Sequence, residues 1–210
     1  PYGVASEEAF ARAASAAGGV IAVRYDYAPR LTNFRAAAQA LRQTRVDALF
    51  IADGHRKVAM IVGALLGARI PLGRGPRRMR LLGTNEWHSR ELLRDASGGV
   101  EGAVLAVGFA GGIVPGPAAS KEGAQFERAF VAKNGRPPGY VEAYAHDAVL
   151  ALRRLFGGGG ELRDSRDVSS ALSKLEVRGA TGTLAFDDDG ELARPPTFVE
   201  VRGGVFRPVR

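Results

Sequence analysis

The sequence from Asp47 to Leu66 is DALFIADGHRKVAMIVGALL. Its first part, Ala48–Ile51, is a short apolar run, and such a run predicts a buried strand. Its last part, Val58–Leu66, predicts a helix. The polar segment 53–55 separates the two, so the stretch predicts one strand–loop–helix unit.

The same alternation continues on both sides of this stretch. Three more apolar runs predict strands at Val20–Val23, Arg80–Leu82 and Ala103–Val107. Helical spacing predicts further helices at residues 4–17, 33–43 and 89–94. Strands that alternate with helices in this way favour right-handed βαβ units, so the predicted fold is α/β with a Rossmann-like parallel sheet flanked by helices.

From residue 120 onward the sequence predicts mainly helices, at 120–134, 140–156 and 165–175. A strand at Thr183–Phe186 and a turn at Asp187–Gly190 follow. The turn lacks the ligand spacing of a calcium loop, so no metal site is expected there. Two strands at 197–202 and 205–209 surround Gly203-Gly204, which fits a two-residue hairpin loop.

The composition excludes several classes of protein. Hydrophobic residues make up 46% and charged residues 24% of the 210 residues, which is typical of a folded globular chain. The absence of cysteine excludes disulfides, thiolate zinc sites and a cysteine nucleophile. No apolar run is long enough to span a membrane. G-x-S-x-G, H-E-x-x-H and Walker motifs are also missing, so neither an enzyme nor a cofactor is expected.

The net charge of +7 raises the question of a nucleic-acid partner. The densest basic cluster consists of Arg74, Arg77, Arg78 and Arg80. It lies in a Gly/Pro-rich stretch without interleaved aromatic residues for base stacking. We therefore expect a solvent-exposed loop there and no nucleic-acid partner.

The order of several short motifs resembles a known family. The motifs are Tyr2-Gly3, Tyr25 to Pro29, Asn33-Phe34, Asp47 to Phe50, GTNEW at 83–87, VEGA at 100–103, F…F…NGRPP at 126–138, YAHDAV at 144–149 and GATGTLAFDDDG at 179–190. Together they resemble the type 1 periplasmic-binding fold of the leucine/isoleucine/valine-binding-protein group. The GTNEW element is similar to that of the penicillin-binding-protein activator lipoproteins, which are divergent relatives.

This resemblance implies a domain arrangement. Residues 1–108 would form the second-lobe α/β domain without its first strand. Residues 109–210 would contribute the crossover, the helices and the C-terminal hairpin of a partial first lobe. The chain begins at Pro1 without a signal-peptide pattern, so a signal or lipid anchor is expected upstream, with a periplasmic or cell-envelope location.

The resemblance also implies a function: noncatalytic, extracytoplasmic binding of a small molecule, such as an amino acid, for a receptor or an ABC transporter. The alternative is an envelope protein-interaction domain of the activator type, which binds no small molecule. Because one wall of the site would be missing, we expect this chain not to bind a free amino acid with micromolar affinity. Apolar helix faces at 120–134 and 140–156 would be left uncovered, so we also expect self-association.

Ligands of open α/β sheets sit beyond the carboxyl ends of the strands. Seven residues occupy these positions and form the candidate ligand site: Tyr2, Asp53, Gly54, His55, Thr84, Asn85 and Glu86. The resemblance implies that Tyr2 packs on the ligand and that an acidic residue near Asn85 or Glu86 binds an ammonium group. An anionic ligand, a larger ligand or none stays open, because Gly54-His55 replaces a frequent aromatic residue. Trp87 and His146 are expected to have structural roles.

Overall fold

The computed structural model describes residues 2–111, 120–157, 164–187, 190–192 and 195–209. The chain divides into two compact units. The first comprises Pro1–Val107 together with Phe198–Arg210, and the second comprises Gly108–Thr197. The first unit is therefore assembled from two segments that are far apart in the sequence.

The helices and strands lie close to the predicted positions. The helices are α1 (Tyr2–Ala16), α2 (Arg35–Gln43), α3 (His55–Gly67), α4 (Arg90–Asp95), α5 (Lys121–Asn134), α6 (Tyr140–Phe156) and α7 (Ser165–Leu172), with a short 3-10 helix at Asn85–Trp87. The strands are β1 (Ala48–Phe50), β2 (Arg80–Gly83), β3 (Val104–Val107), β4 (Glu176–Gly179), β5 (Gly182–Ala185), β6 (Thr197–Arg202) and β7 (Val205–Pro208).

The first unit contains a five-stranded sheet in the order β1-β2-β3-β6-β7. β1 pairs with β2 in parallel, with Ala48 beside Arg80, and β2 pairs with β3 in parallel, with Leu82 beside Val104. The prediction of a parallel sheet flanked by helices is confirmed. Parallel strands end at a common edge, so the residues after β1 and those after β2 share one side of the molecule.

The predicted strand Val20–Val23 is wrong. This segment has no regular secondary structure, and the side chain of Val20 is 87% exposed. An apolar, β-branched run becomes a strand only where a neighbouring strand supplies backbone hydrogen bonds. Among the described strands of this sheet, β1 pairs with β2 alone, so the segment has no such neighbour.

The C-terminal hairpin lies in a different place from the one expected. The resemblance implies that it belongs with residues 109–210, but β6 instead extends the sheet of the first unit next to β3. Two backbone hydrogen bonds fix it there, from Gly102 N to Val201 O at 2.9 Å and from Val201 N to Ala103 O at 3.0 Å. The predicted hairpin loop is confirmed, because Gly203 and Gly204 both have positive φ angles, as a type I′ turn requires.

Apolar side chains of the sheet and of α3 form the core of the first unit. Leu81 and Leu105 on the parallel strands, Val58 and Val62 on α3, and Trp87 are fully or almost fully buried. The hairpin contributes one buried face, formed by Val199, Val201 and Phe206. Helix α3 packs between α2 and α4. This core holds the loop ends of β1 and β2 on a rigid support.

The second unit is built from α5, α6 and α7 with the antiparallel pair β4–β5. Phe109, Ala143 and Ala180 form one buried cluster, and Ala151, Leu175 and Leu184 form another. The strand β4 was missed because its sequence, EVRG, is short and half charged. It becomes a strand through its four-residue pairing with β5.

The predicted turn Asp187–Gly190 falls partly outside the described residues, because Asp188 and Asp189 are not among them. Within the described ranges, no helix is both long and apolar enough to cross a membrane.

Candidate ligand-binding site

Trp87 ties the loop after β2 to the end of β1. Its indole Nε1 donates a 3.0 Å hydrogen bond to the carbonyl oxygen of Ile51, and its side chain is fully buried. The ring lies so close to Gly83 that a Cβ at this position would come within 2.4 Å of the ring carbon Cδ2. The GTNEW element therefore needs both its glycine and its tryptophan to hold the two loops together.

Tyr2 reaches the same edge from the start of α1. Its hydroxyl group donates a 2.6 Å hydrogen bond to Oγ1 of Thr84. The adjacent Gly3 lies close to the backbone of Ala52, whose carbonyl oxygen would be 3.3 Å from a Cβ on Gly3. Further along α1, the ring of Phe10 stacks on Phe50 with centroids 4.4 Å apart. The first helix is thus fixed beside β1, and Tyr2 is brought to Thr84.

Asp53 is positioned by two hydrogen bonds. The hydroxyl group of Tyr27 donates to Oδ2 at 2.9 Å, and the backbone N–H of Gly54 donates to Oδ1 at 2.6 Å. Burial, and then the hydrogen bond to Asp53 and its negative charge, raise the pKa of Tyr27 well above its ordinary value. The phenol therefore stays protonated and keeps donating to the carboxylate.

Lys57 holds the segment that carries Tyr27. Its Nζ donates to the carbonyl oxygen of Pro29 at 2.8 Å and also to that of Leu31. The Lys57 Nζ atom also lies 5.9 Å from the ring centroid of Phe34, and the Phe34 ring packs edge-on against Tyr27. A lysine on the first turn of α3 therefore orders a segment without regular secondary structure against the site.

The remaining predicted residues follow the same two strands. Gly54 is the N-cap of α3 and His55 is its first residue, while Asn85 and Glu86 form the short 3-10 helix after Thr84. All four are half-buried. The structure thus joins Tyr2 directly to Thr84 and places Asp53, Gly54 and His55 at the same sheet edge. The role of the seven residues in ligand binding stays a prediction.

Tyr27 is part of the candidate site, and the sequence did not indicate it. It belongs to one of the quoted motifs, but its partner Asp53 is 26 positions away, and no periodicity connects them. The available signal was an aromatic residue in a predicted loop that precedes a strand–helix unit.

A second group of polar residues, in the second unit, has a structural role. The buried carboxylate of Asp147 accepts hydrogen bonds from Ala180 N at 2.6 Å and Thr181 N at 2.8 Å, and from the Thr181 hydroxyl group. His146 Nδ1 lies 3.0 Å from the same carboxylate. The expected structural role of His146 is consistent with this arrangement, because the carboxylate fastens α6 to the turn between β4 and β5.

His146 also borders an open cavity of about 410 Å³ between α5, α6 and β4. Phe126 and Phe130 supply its apolar wall, and Lys133 and Arg178 its positive charge.

Within the part of the chain that the structure describes, no three His, Asp or Glu side chains are grouped as a metal site would require.

The sequence profile of a family described as periplasmic binding protein matches residues 1–205. The chain belongs to this family. The match spans both units and includes every residue of the candidate site. No curated protein matches the sequence.

Solved structures show the same fold as this family member. The leucine-binding protein LivK of Thermotoga maritima superposes with a TM-score of 0.83 at 18% identity, over 100% of this chain and 56% of its own. A substrate-binding protein of an ABC transporter from Desulfitobacterium hafniense, in complex with leucine, gives 0.70 at 20% identity over 99% and 57%. A solute-binding protein from R. palustris, in complex with benzoate, gives 0.73 at 14% identity over 96% and 53%. The chain therefore spans little more than half the length of these structures.

Proposed function

We propose that this chain is part of an extracytoplasmic solute-binding receptor and binds a small carboxylate with an apolar body, such as a branched-chain amino acid. One observation carries the proposal. The Tyr2–Thr84 hydroxyl pair and the Asp53 carboxylate lie at the carboxyl-terminal edge of β1 and β2, where open α/β sheets bind ligands. Membership of the periplasmic binding protein family supports a receptor over an envelope protein-interaction domain.

The chemistry of the edge favours an amino acid over a simple carboxylate. Each oxygen of Asp53 accepts one hydrogen bond, so each keeps a further lone pair for a ligand ammonium group. Tyr2 is 52% exposed, and its ring can offer an apolar surface to a branched side chain. Leucine and benzoate, bound by two of the similar structures, share a carboxylate and an apolar body, but only leucine carries an ammonium group.

The proposed function is binding without chemical conversion. The Asp53 and Thr84 side chains at the edge are held by hydrogen bonds to neighbouring groups, which supports a role in binding a ligand. A receptor of this family would work outside the cytoplasm and pass its ligand to a transporter. We expect the 210-residue chain to bind weakly, because affinity in such sites comes from burying most of the ligand surface.

The test is a titration of the isotope-labelled chain with leucine, followed by amide chemical shifts. We expect shifts at Gly54 and Thr84 that saturate with a dissociation constant above the micromolar range. 4-Methylpentanoate, which is leucine without its amino group, should bind less tightly. The substitution Asp53→Asn should weaken leucine binding about tenfold, because a hydrogen bond to a charged group is lost.

Asp47→Asn is the matched control, since Asp47 is exposed at the opposite end of β1. It should leave the leucine titration unchanged. If leucine moves neither the Gly54 nor the Thr84 amide, the proposed function is wrong. If leucine and its deaminated analogue bind equally well to the unsubstituted chain, Asp53 does not bind an ammonium group.

A further inference from the structure

The C-terminal hairpin has a second face that the core does not use. Val199, Val201 and Phe206 point into the core, so the alternating residues of β6 and β7 point away from it. Glu200 and Arg207 lie directly opposite each other across the two strands, and Arg202 lies two residues further along β6. This outer face is therefore charged.

Three arginines surround a single carboxylate on this face. Arg74 Nε and Arg80 Nη2 lie 2.7 Å and 2.8 Å from Oε1 of Glu200, and Arg202 Nε lies 3.1 Å from Oε2. Glu200 is 1% exposed, whereas the arginine side chains are 34% to 58% exposed. The carboxylate is thus buried among three arginine side chains that stay partly exposed, although the Nε atoms of Arg80 and Arg202 are themselves buried.

Further arginines extend this positive surface. Arg77 and Arg78 are exposed in the loop that carries Arg74, and Arg207 is exposed on β7. We call the six residues the arginine face: Arg74, Arg77, Arg78, Arg80, Arg202 and Arg207. Acidic groups near these arginines include Glu200, Glu101, which accepts hydrogen bonds from the backbone of the hairpin loop, and Asp47, whose carbonyl oxygen accepts a 2.8 Å hydrogen bond from Arg80 N. Six guanidinium groups outnumber these three carboxylates.

Two exposed apolar residues complete this side of the hairpin. Phe198 and Val209 lie at its open end, joined by a 2.9 Å hydrogen bond from Val209 N to Phe198 O. By strand alternation they are on the same face as Glu200 and Arg207. Phe198 is 51% exposed and Val209 is 44% exposed. Cationic and apolar side chains thus share one open surface.

We propose that the arginine face binds the surface of an anionic phospholipid bilayer. Guanidinium groups bind phosphate with paired hydrogen bonds, and clusters of four to eight basic residues bind anionic lipid headgroups. An exposed phenylalanine beside them would enter the interfacial layer, as aromatic residues do at membrane surfaces. The face is an open surface and not an enclosed cavity, which fits a sheet of phosphates better than one small anion.

The arginine face is separate from the candidate ligand site. Arg80 begins β2, whereas Thr84 follows its last residue, so the two sites lie at opposite ends of one strand. The chain could therefore bind a bilayer while its ligand site stays accessible. The proposal rests on charge and exposure, and it does not depend on the proposed ligand.

The experiment is sedimentation of the 210-residue chain with lipid vesicles. We expect binding to phosphatidylcholine vesicles that contain phosphatidylglycerol, weaker binding as salt rises, and none to phosphatidylcholine alone. The double substitution R77Q/R207Q should weaken binding roughly 30-fold, since each basic residue near an anionic surface contributes about 1 kcal/mol. Phe198→Ala should weaken it further.

The matched control is R42Q/R128Q, which makes the same change in net charge at exposed arginines elsewhere. It should change binding less than twofold. The proposal is overturned if both double variants lose binding equally, because net charge alone would then be responsible. It is also overturned if millimolar inorganic phosphate displaces the chain, or if soluble polyglutamate binds as tightly and Phe198→Ala has no effect. Those outcomes would indicate a small-anion site and an acidic protein partner, respectively.

Discussion

The hydroxyl group of Tyr2 donates a 2.6 Å hydrogen bond to Oγ1 of Thr84, which is 82 positions away in the sequence. This bond connects the first turn of α1 to the loop after β2. Thr84→Val keeps the shape of the side chain but removes the acceptor, so it should lower the free energy of unfolding by about 1 kcal/mol. Urea unfolding measures the loss. Thr84→Ser keeps the hydroxyl group, and an equal loss in that variant would show that the bond is not responsible.

The contact between Gly83 and Trp87 predicts a larger effect. Gly83→Ala would place a Cβ 2.4 Å from the buried indole, which must move away. We expect a destabilisation of about 2 kcal/mol or more and a shift of the emission maximum of Trp87, the one tryptophan of the chain. The control is Gly67→Ala at the end of α3, where nothing lies within 4 Å of an added Cβ. A fully stable Gly83→Ala variant with an unchanged Trp87 emission maximum would contradict this packing.

Because His88 is buried, we expect the stability of the fold to depend on pH. Burial lowers its pKa to about 4 from the ordinary value of 6.5, and its ring packs against Phe206 at 4.8 Å between centroids. Between pH 6.5 and 4 the unfolded chain binds the proton and the folded chain does not. Stability therefore falls as the pH decreases through this range, by up to about 3 kcal/mol. Above pH 6.5 His88 is neutral in both states and adds no pH dependence.

The substitution His88→Leu should remove the part of the pH dependence of stability that His88 contributes. Chemical unfolding of both proteins at pH 7 and at pH 4.5 measures how the free energy of unfolding changes with pH. The difference between the two slopes isolates His88 from the carboxylates that titrate in the same range. Equal slopes would show that His88 is accessible to protons in the folded state.

We expect the stability of the second unit to depend on the negative charge of Asp147. Both of its oxygens accept hydrogen bonds from the turn between β4 and β5, so Asp147→Asn would direct an NH₂ group at a donor. We expect a loss of about 3 kcal/mol, measured by thermal unfolding. Asp164→Asn makes the same change at the exposed N-cap of α7. Because asparagine also caps helices well, that control should be nearly neutral. Similar losses in both variants would contradict the special role of Asp147.

The exposed face of α6 predicts self-association. Val149, Leu152 and Phe156 are 65%, 50% and 59% exposed and lie on one side of the helix. Burying such a face against another molecule is favourable by about 25 cal/mol per Å² of apolar surface. Light scattering should show association that V149Q/L152Q reduces. The control V20Q/V23Q changes two exposed valines outside any helix. A chain that is monomeric at high concentration would contradict the prediction.

The sequence was informative about the fold wherever an element depends on its own residues. The apolar run of β1 and the helical spacing of α3 need no distant partner to be recognised. Val20–Val23 has the same strand character, but a strand also needs a neighbour, and no residue within the segment reports whether one is present. The hairpin shows the same limit. Gly203-Gly204 specifies its turn, whereas its place beside β3 depends on backbone bonds to Gly102 and Ala103.

The candidate site likewise has a part that the sequence predicts and a part that it does not. Parallel pairing places Asp53 and Thr84 at one edge, and the alternation of strands and helices predicts that pairing. The hydrogen bonds of Tyr2 and Tyr27 depend on how a helix and a loop without regular structure fold back onto that edge. Short motifs carry no information about such distances. The arginine cluster was expected to be a solvated loop, and only the hairpin's position brings Arg202 and Arg207 beside it.

The place of β6 beside β3 has a consequence for biosynthesis. A ribosome makes the chain from its N-terminus, so Ala103 leaves the exit tunnel long before Val201, its hydrogen-bond partner, has been translated. During that interval β3 has an unpaired edge and an uncovered apolar side, while the intervening unit emerges and can fold. The first unit is therefore completed last, although most of it is made first. Exposed strand edges promote aggregation, so a nascent chain stalled before residue 198 would be the form most in need of a chaperone.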